Sequence, residues 1–159
     1  MAMSQVDPCY PDAKSVTSFQ DGLEYQDFVC VQLAQQGIIL QNLASRRYQF
    51  EVGENLQGFE IKKDDRCTET LRLSIEVAEK TRNDPSLGWT PSGIFRSDNS
   101  WLYVQGNYSI IFVFAKNLLV KWQEKYRPPL TDKFGTVKTF YMPFSVARKL
   151  AAKVIDVAP

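Results

Sequence analysis

The sequence predicts an α/β domain, a central mixed β-sheet flanked by helices. Three observations predict it. Apolar residues recur at helical spacing near both ends of the chain. Between them lie short stretches in which apolar and polar residues alternate. Turn-forming pairs such as Asp98-Asn99 and Gly106-Asn107 separate those stretches. A chain of 159 residues suits one domain with a sizeable core.

The elements follow in order. Residues 1–17 are rich in Pro, Asp and Ser and read as an irregular N-terminal arm. The domain proper is expected over 18–159. Ser18-Phe19-Gln20-Asp21 resembles a helix-starting box, and the helix should run to Gln36 and stop at Gly37. Tyr48–Val52 alternates as a strand. Asn55-Leu56-Gln57-Gly58 is a turn, and Phe59–Lys62 is a second alternating strand. Residues 68–82 are expected to form an amphipathic helix with Leu71, Ile75 and Ala78 on one face. A loop follows to Pro91. Strands are expected at Gly93–Arg96, Trp101–Gln105 and Ser109–Ala115. A helix at Asn117–Tyr126 should end before Pro128-Pro129. A strand near Val137–Met142 and a helix at Ser145–Ile155 complete the set.

Composition narrows the function. The chain has no histidine. That excludes Ser-His-Asp and Cys-His nucleophiles, zinc sites with histidine ligands, and an imidazole base. The cysteines are Cys9, Cys30 and Cys67, with no CxxC pair. Reduced structural thiols in the cytoplasm are expected. The longest apolar run, Ile110 to Ala115, falls far short of the roughly 20 residues that span a bilayer. No membrane partner is therefore expected, and because no signal-peptide pattern opens the chain, secretion is not expected either. The net charge of +1 hides an asymmetry. Residues 1–115 hold 10 Lys+Arg against 15 Asp+Glu, and residues 116–159 hold 9 against 3. An acidic body therefore precedes a basic C-terminal part.

Chemistry concentrates at Phe50-Glu51-Val52-Gly53-Glu54-Asn55-Leu56-Gln57-Gly58-Phe59-Glu60-Ile61-Lys62. Strand alternation turns Phe59 and Ile61 one way and Glu60 and Lys62 the other. A hairpin folded at this turn would bring Glu54 toward Glu60. Clustered carboxylates repel unless a cation sits between them, and a hard divalent ion prefers oxygen ligands. A neighbouring lysine can stabilise developing negative charge. Such a set suits phosphodiester hydrolysis without histidine. The other acid-x-Lys triplet, Asp12-Ala13-Lys14, lies in the polar arm and is read as a decoy. The plain alternative for Glu60 and Lys62 is an ion pair on a solvated sheet face.

These residues resemble the PD-(D/E)xK nuclease superfamily, which includes restriction endonucleases and Holliday-junction resolvases. There a helix carrying an acid precedes a strand with Asp or Glu, then a strand bearing (D/E)xK. Glu24, Glu54 and Glu60-Ile61-Lys62 fall in that order, over roughly residues 18–115. Gly53-Glu54 stands where the superfamily carries Pro-Asp, and the gap to Glu60 is short. Glu51 therefore stays an alternative to Glu54, and Asp27 an alternative to Glu24.

The resemblance implies a restriction endonuclease-like fold and metal-dependent hydrolysis of DNA. Glu54, Glu60, Glu24 and the Ile61 carbonyl would hold Mg²⁺ or Mn²⁺, and Lys62 would assist the attacking water. DNA is the expected partner, with a homodimer where both strands are cut. Arg46 and Arg47 are candidate phosphate contacts. Trp101 and Tyr103 are candidates for base stacking or for core packing. Arg148, Lys149 and Lys153 could track a phosphate backbone or form an ordinary exposed helix face. The alternative function is a catalytically silent nucleic-acid-binding or structural protein on the same fold.

Overall fold

The computed structural model describes residues 13–40 and 57–157, with side chains of the first helix from residue 20 onward. Helix α1 spans Ala13–Gln35. It starts earlier than Ser18 because no glycine or proline between Ala13 and Ser18 stops the helix propagating toward the N-terminus. It stops where expected. Gly37 takes a φ of 80°, its N–H donates to the Ala34 carbonyl at 2.9 Å, and the Ile38 N–H donates to Leu33 at 2.9 Å. This paired closure satisfies two of the last carbonyls of the helix.

The strands form two four-stranded sheets rather than one central sheet. The first contains β1 (Phe59–Lys63), β4 (Leu102–Gly106), β5 (Ile110–Ala115) and β8 (Lys153–Asp156), in that order. β1 runs parallel to β4, and the other pairs are antiparallel. The second sheet is antiparallel, in the order β3 (Thr90–Pro91), β2 (Arg72–Glu79), β7 (Val137–Pro143) and β6 (Thr131–Lys133). Three shorter helices complete the described fold: α2 (Cys67–Thr70), α3 (Lys116–Tyr126) and α4 (Phe144–Leu150). The architecture is mixed α/β. No helix among the described residues is long and apolar enough to cross a membrane.

The first sheet is buried on both faces. One face carries Phe59, Val104, Ile111 and Val113, which pack against Tyr25, Val29 and Leu33 of α1. The other carries Tyr103, Phe112 and Phe114, which join Leu73, Ile75, Phe140 and Met142 of the second sheet. A strand covered on both sides reads as a continuous apolar run, and β5, Ile-Ile-Phe-Val-Phe-Ala, is such a run. Each fully buried large side chain here contributes about 1.5–3 kcal/mol.

Three expected elements differ. Residues 72–79 form strand β2, not part of a helix. Leu71, Ile75 and Ala78 fit helical spacing, but Leu73, Ile75 and Val77 also alternate. Pairing with β7 decides between the two periods, and α2 ends after four residues at Leu71, whose φ is 51°. Gly93–Phe95 is a single 3₁₀ turn rather than a strand. The last helix ends at Leu150, and Lys153–Asp156 leaves it to pair with β5 as β8.

Candidate functional site

β1 alternates as the sequence suggests. Phe59 and Ile61 face α1, while Glu60 and Lys62 face away from it. In the parallel register Glu60 lies beside Tyr103 and Lys62 beside Gln105. The Glu60 side chain is 0 % exposed, and an ammonium group approaches each of its oxygens. Lys62 Nζ is 3.4 Å from Oε1, and Lys116 Nζ is 3.7 Å from Oε2. Removing a carboxylate from water costs several kcal/mol, which nearby opposite charges offset.

The two lysines differ in setting. Lys116 opens α3 and its side chain is 8 % exposed. It donates to the Arg96 carbonyl at 3.0 Å, to Asp98 Oδ1 at 3.0 Å and to the Ser100 hydroxyl at 2.5 Å. Burial would raise the Asp98 carboxyl. The Ser100 hydroxyl, the Ser100 amide and Lys116 outweigh that and hold it below the usual carboxylate range. Lys62 is 33 % exposed and opens onto a cavity of about 210 Å³ lined also by Glu76, Tyr103 and Thr139.

Glu76 is the residue that the sequence reading missed. Its Oε2 lies 3.8 Å from Lys62 Nζ, and its Oε1 accepts a short hydrogen bond from the Ser92 hydroxyl. The alternation of Leu73, Ile75 and Val77 was the available signal, because it turns Glu76 away from the core. Gly93 makes the approach possible. Its φ is 52°, and a Cβ there would sit 2.3 Å from the Glu76 carbonyl oxygen. Tyr103 is fully buried, and its phenol is held well above its ordinary range by burial, then by the Glu60 and Glu76 carboxylates.

The remaining candidates fall in several places. Glu51, Glu54, Arg46 and Arg47 lie outside the described residues. Glu24 and Asp27 are exposed on α1, which covers the face of the sheet opposite to Glu60 and Lys62. Ile61 packs its side chain toward α1. Trp101 is exposed and clamps the start of β1. Its ring meets Phe59 edge to face at 6.0 Å, and its indole N–H donates to the Gln57 carbonyl at 2.7 Å. Asp64 ties the two sheets together. Its Oδ2 accepts from the Ser74 amide at 2.8 Å and from the Gln105 amide at 3.2 Å. Arg148 is held by Asp156 at 2.7 Å and 3.2 Å.

The donors fit a hard divalent ion by chemistry, because Glu60 and Glu76 offer only oxygen. Among the described residues, however, no three His, Cys, Asp or Glu side chains are grouped to hold a metal. Comparison with family models, with curated proteins and with solved structures finds no match to this chain.

Proposed function

We propose that the chain is a metal-dependent nuclease of restriction endonuclease-like type that hydrolyses DNA phosphodiester bonds. The observation that carries this reading is the Glu60–Lys62 pair. A fully buried carboxylate and a part-exposed lysine stand 3.4 Å apart on one strand face, at the wall of a cavity. The free thiols Cys30 and Cys67 fit the reducing cytoplasm in which such an enzyme would work. Burial pushes the Cys67 thiol up to about 12, so it stays protonated and unreactive.

In this reading Glu60 and Glu54, with the Ile61 carbonyl, would hold Mg²⁺ or Mn²⁺; Glu24 is left out of the set, because α1 carries it on the face of the sheet opposite to Glu60. The ion would supply Lewis-acid polarisation of the phosphodiester and a more acidic water. Lys116 fixes the Glu60 carboxylate from its buried side. Lys62 orients the attacking water and stabilises the charge that develops on the phosphate oxygens as water adds and the P–O ester bond breaks. Glu76 holds the Lys62 ammonium in place through the contact at 3.8 Å.

A second reading has its own support. Two lysines already offset the charge of Glu60, as they would in a silent relative that binds nucleic acid without metal. Supercoiled and branched DNA incubated with the protein in Mg²⁺, in Mn²⁺ and in EDTA separates the two. The nuclease reading expects cutting in either metal, none in EDTA, and loss of cutting in Glu60→Gln. Binding without cutting supports the silent reading, and unchanged cutting by Glu60→Gln removes Glu60 from the chemistry.

A further inference from the structure

The β6–β7 hairpin carries an apolar residue where folding gains least from it. Phe134 is 90 % exposed, so its ring buries almost nothing. Its φ is 58°, in the left-handed region that a bulky residue rarely adopts. Asn or Gly would suit that turn better on both counts. Backbone strain at a residue with no packing role points toward function.

The surroundings of the ring indicate what it meets. Phe134 lines the cavity that holds Lys62 and Glu76, and it also lines a second cavity of about 610 Å³ beside it. That volume falls in the range of small-molecule clefts, about 300–1,000 Å³. The wall of the second cavity carries Asp64, Asp65 and Asp132 as well as Lys63, Arg66, Arg72 and Lys133. Asp65 holds Lys63 and Glu69 holds Arg66, whereas neither Arg72 nor Lys133 pairs with a carboxylate among the described residues. Both sit over the Tyr141 ring instead, at 4.0 Å and 5.6 Å. The Lys133 ammonium also donates a short hydrogen bond to the Ser74 hydroxyl. Two cations without carboxylate partners, fixed over an aromatic ring, make a site for phosphate groups. An exposed ring at its rim makes a platform for a base.

We infer that Phe134 stacks on an unpaired nucleobase while Arg72 and Lys133 hold the adjoining backbone phosphates. The substrate class is therefore DNA with a single-stranded segment next to the phosphate that meets Lys62. A fully paired duplex keeps its bases inside the stack and offers the ring nothing comparable. This assignment rests on the nuclease reading of the Glu60–Lys62 site, but it is tested by binding alone.

The test is fluorescence anisotropy in EDTA, with a labelled forked duplex and a labelled blunt duplex of the same paired sequence. Wild type should bind the fork roughly tenfold more tightly than the blunt duplex. Phe134→Leu should lose about that factor on the fork and change little on the blunt duplex, while Phe134→Trp should keep it. Phe134→Asn should lose the fork preference and melt at an equal or higher temperature, which separates a binding role from a folding role. Equal binding of fork and blunt duplex by wild type, or an unchanged preference in Phe134→Leu, overturns the inference. Cutting in Mg²⁺ together with that result leaves the nuclease reading standing. A Phe134-dependent fork preference without cutting in any metal keeps the inference and removes the nuclease reading. No binding to either DNA overturns the inference, and cutting in Mg²⁺ or Mn²⁺ then decides the nuclease reading by itself.

Discussion

Lys62 and Lys116 approach the two oxygens of one carboxylate, yet they belong to different parts of the molecule. Lys116 is buried, and its ammonium donates to a carbonyl, a carboxylate and a hydroxyl. Lys62 is one-third exposed, is shared by Glu60 and Glu76, and opens onto a cavity. The buried lysine has used all three of its protons in the fold. The exposed lysine stands at a cavity wall, where solvent reaches it. One carboxylate thus joins a buried side and an open side, which the proposed function reads as structural and chemical, and substitutions on the two sides should behave differently.

The largest effect is expected on the buried side. Lys116→Met should destabilise the protein by about 3 kcal/mol or more in urea unfolding, because it removes the buried cation that Asp98 and Glu60 share and leaves them the part-exposed Arg96 and Lys62. A loss under 1 kcal/mol would show that water reaches this network. Gly93→Ala comes next. It forces a Cβ toward the Glu76 carbonyl at a left-handed φ, and it should cost roughly 2 kcal/mol or more. It should also weaken any activity by moving Glu76 from Lys62.

The pH response of the buried side has a defined sign. Asp98 titrates below its ordinary 3.8 in the folded protein. Its contribution is therefore fully present above that pH and is lost as pH falls through the lower, folded value. Asp98→Asn should flatten the fall of melting temperature with acid below pH 3.8, and an unchanged slope would place the acid sensitivity elsewhere. The smallest stability effect belongs to Lys62→Ala, about 1–2 kcal/mol, since the lysine is part-exposed and Lys116 remains beside the buried Glu60 carboxylate.

The difference between the two lysines also explains what was legible in the sequence. The facing of Glu60 and Lys62 follows from strand alternation alone, a local rule. Helix α3 and strands β4, β5 and β7 were likewise readable from short-range pattern. Lys116, Asp98 and Glu76 were not, because their role comes from long-range placement. Lys116 begins a helix after β5, Asp98 sits in a loop, and Glu76 lies on a strand whose residues also fit helical spacing. Tertiary pairing with β7 settled that ambiguity, and pairing with β5 likewise drew Lys153–Asp156 out of the last helix. The resemblance to the nuclease pattern rested on the local part, and the structure adds the lysine that holds its central carboxylate from behind.

The central claim is that the Glu60–Lys62 face is the chemical half of the site. Plasmid nicking by wild type and Lys62→Ala in Mg²⁺, with urea unfolding of both proteins, tests it most directly. Metal-dependent nicking by wild type is expected, with a loss of about 10²-fold or more in Lys62→Ala and a stability loss of no more than about 2 kcal/mol. Nicking by Lys62→Ala at the wild-type rate, or no metal-dependent nicking by wild type, would contradict it.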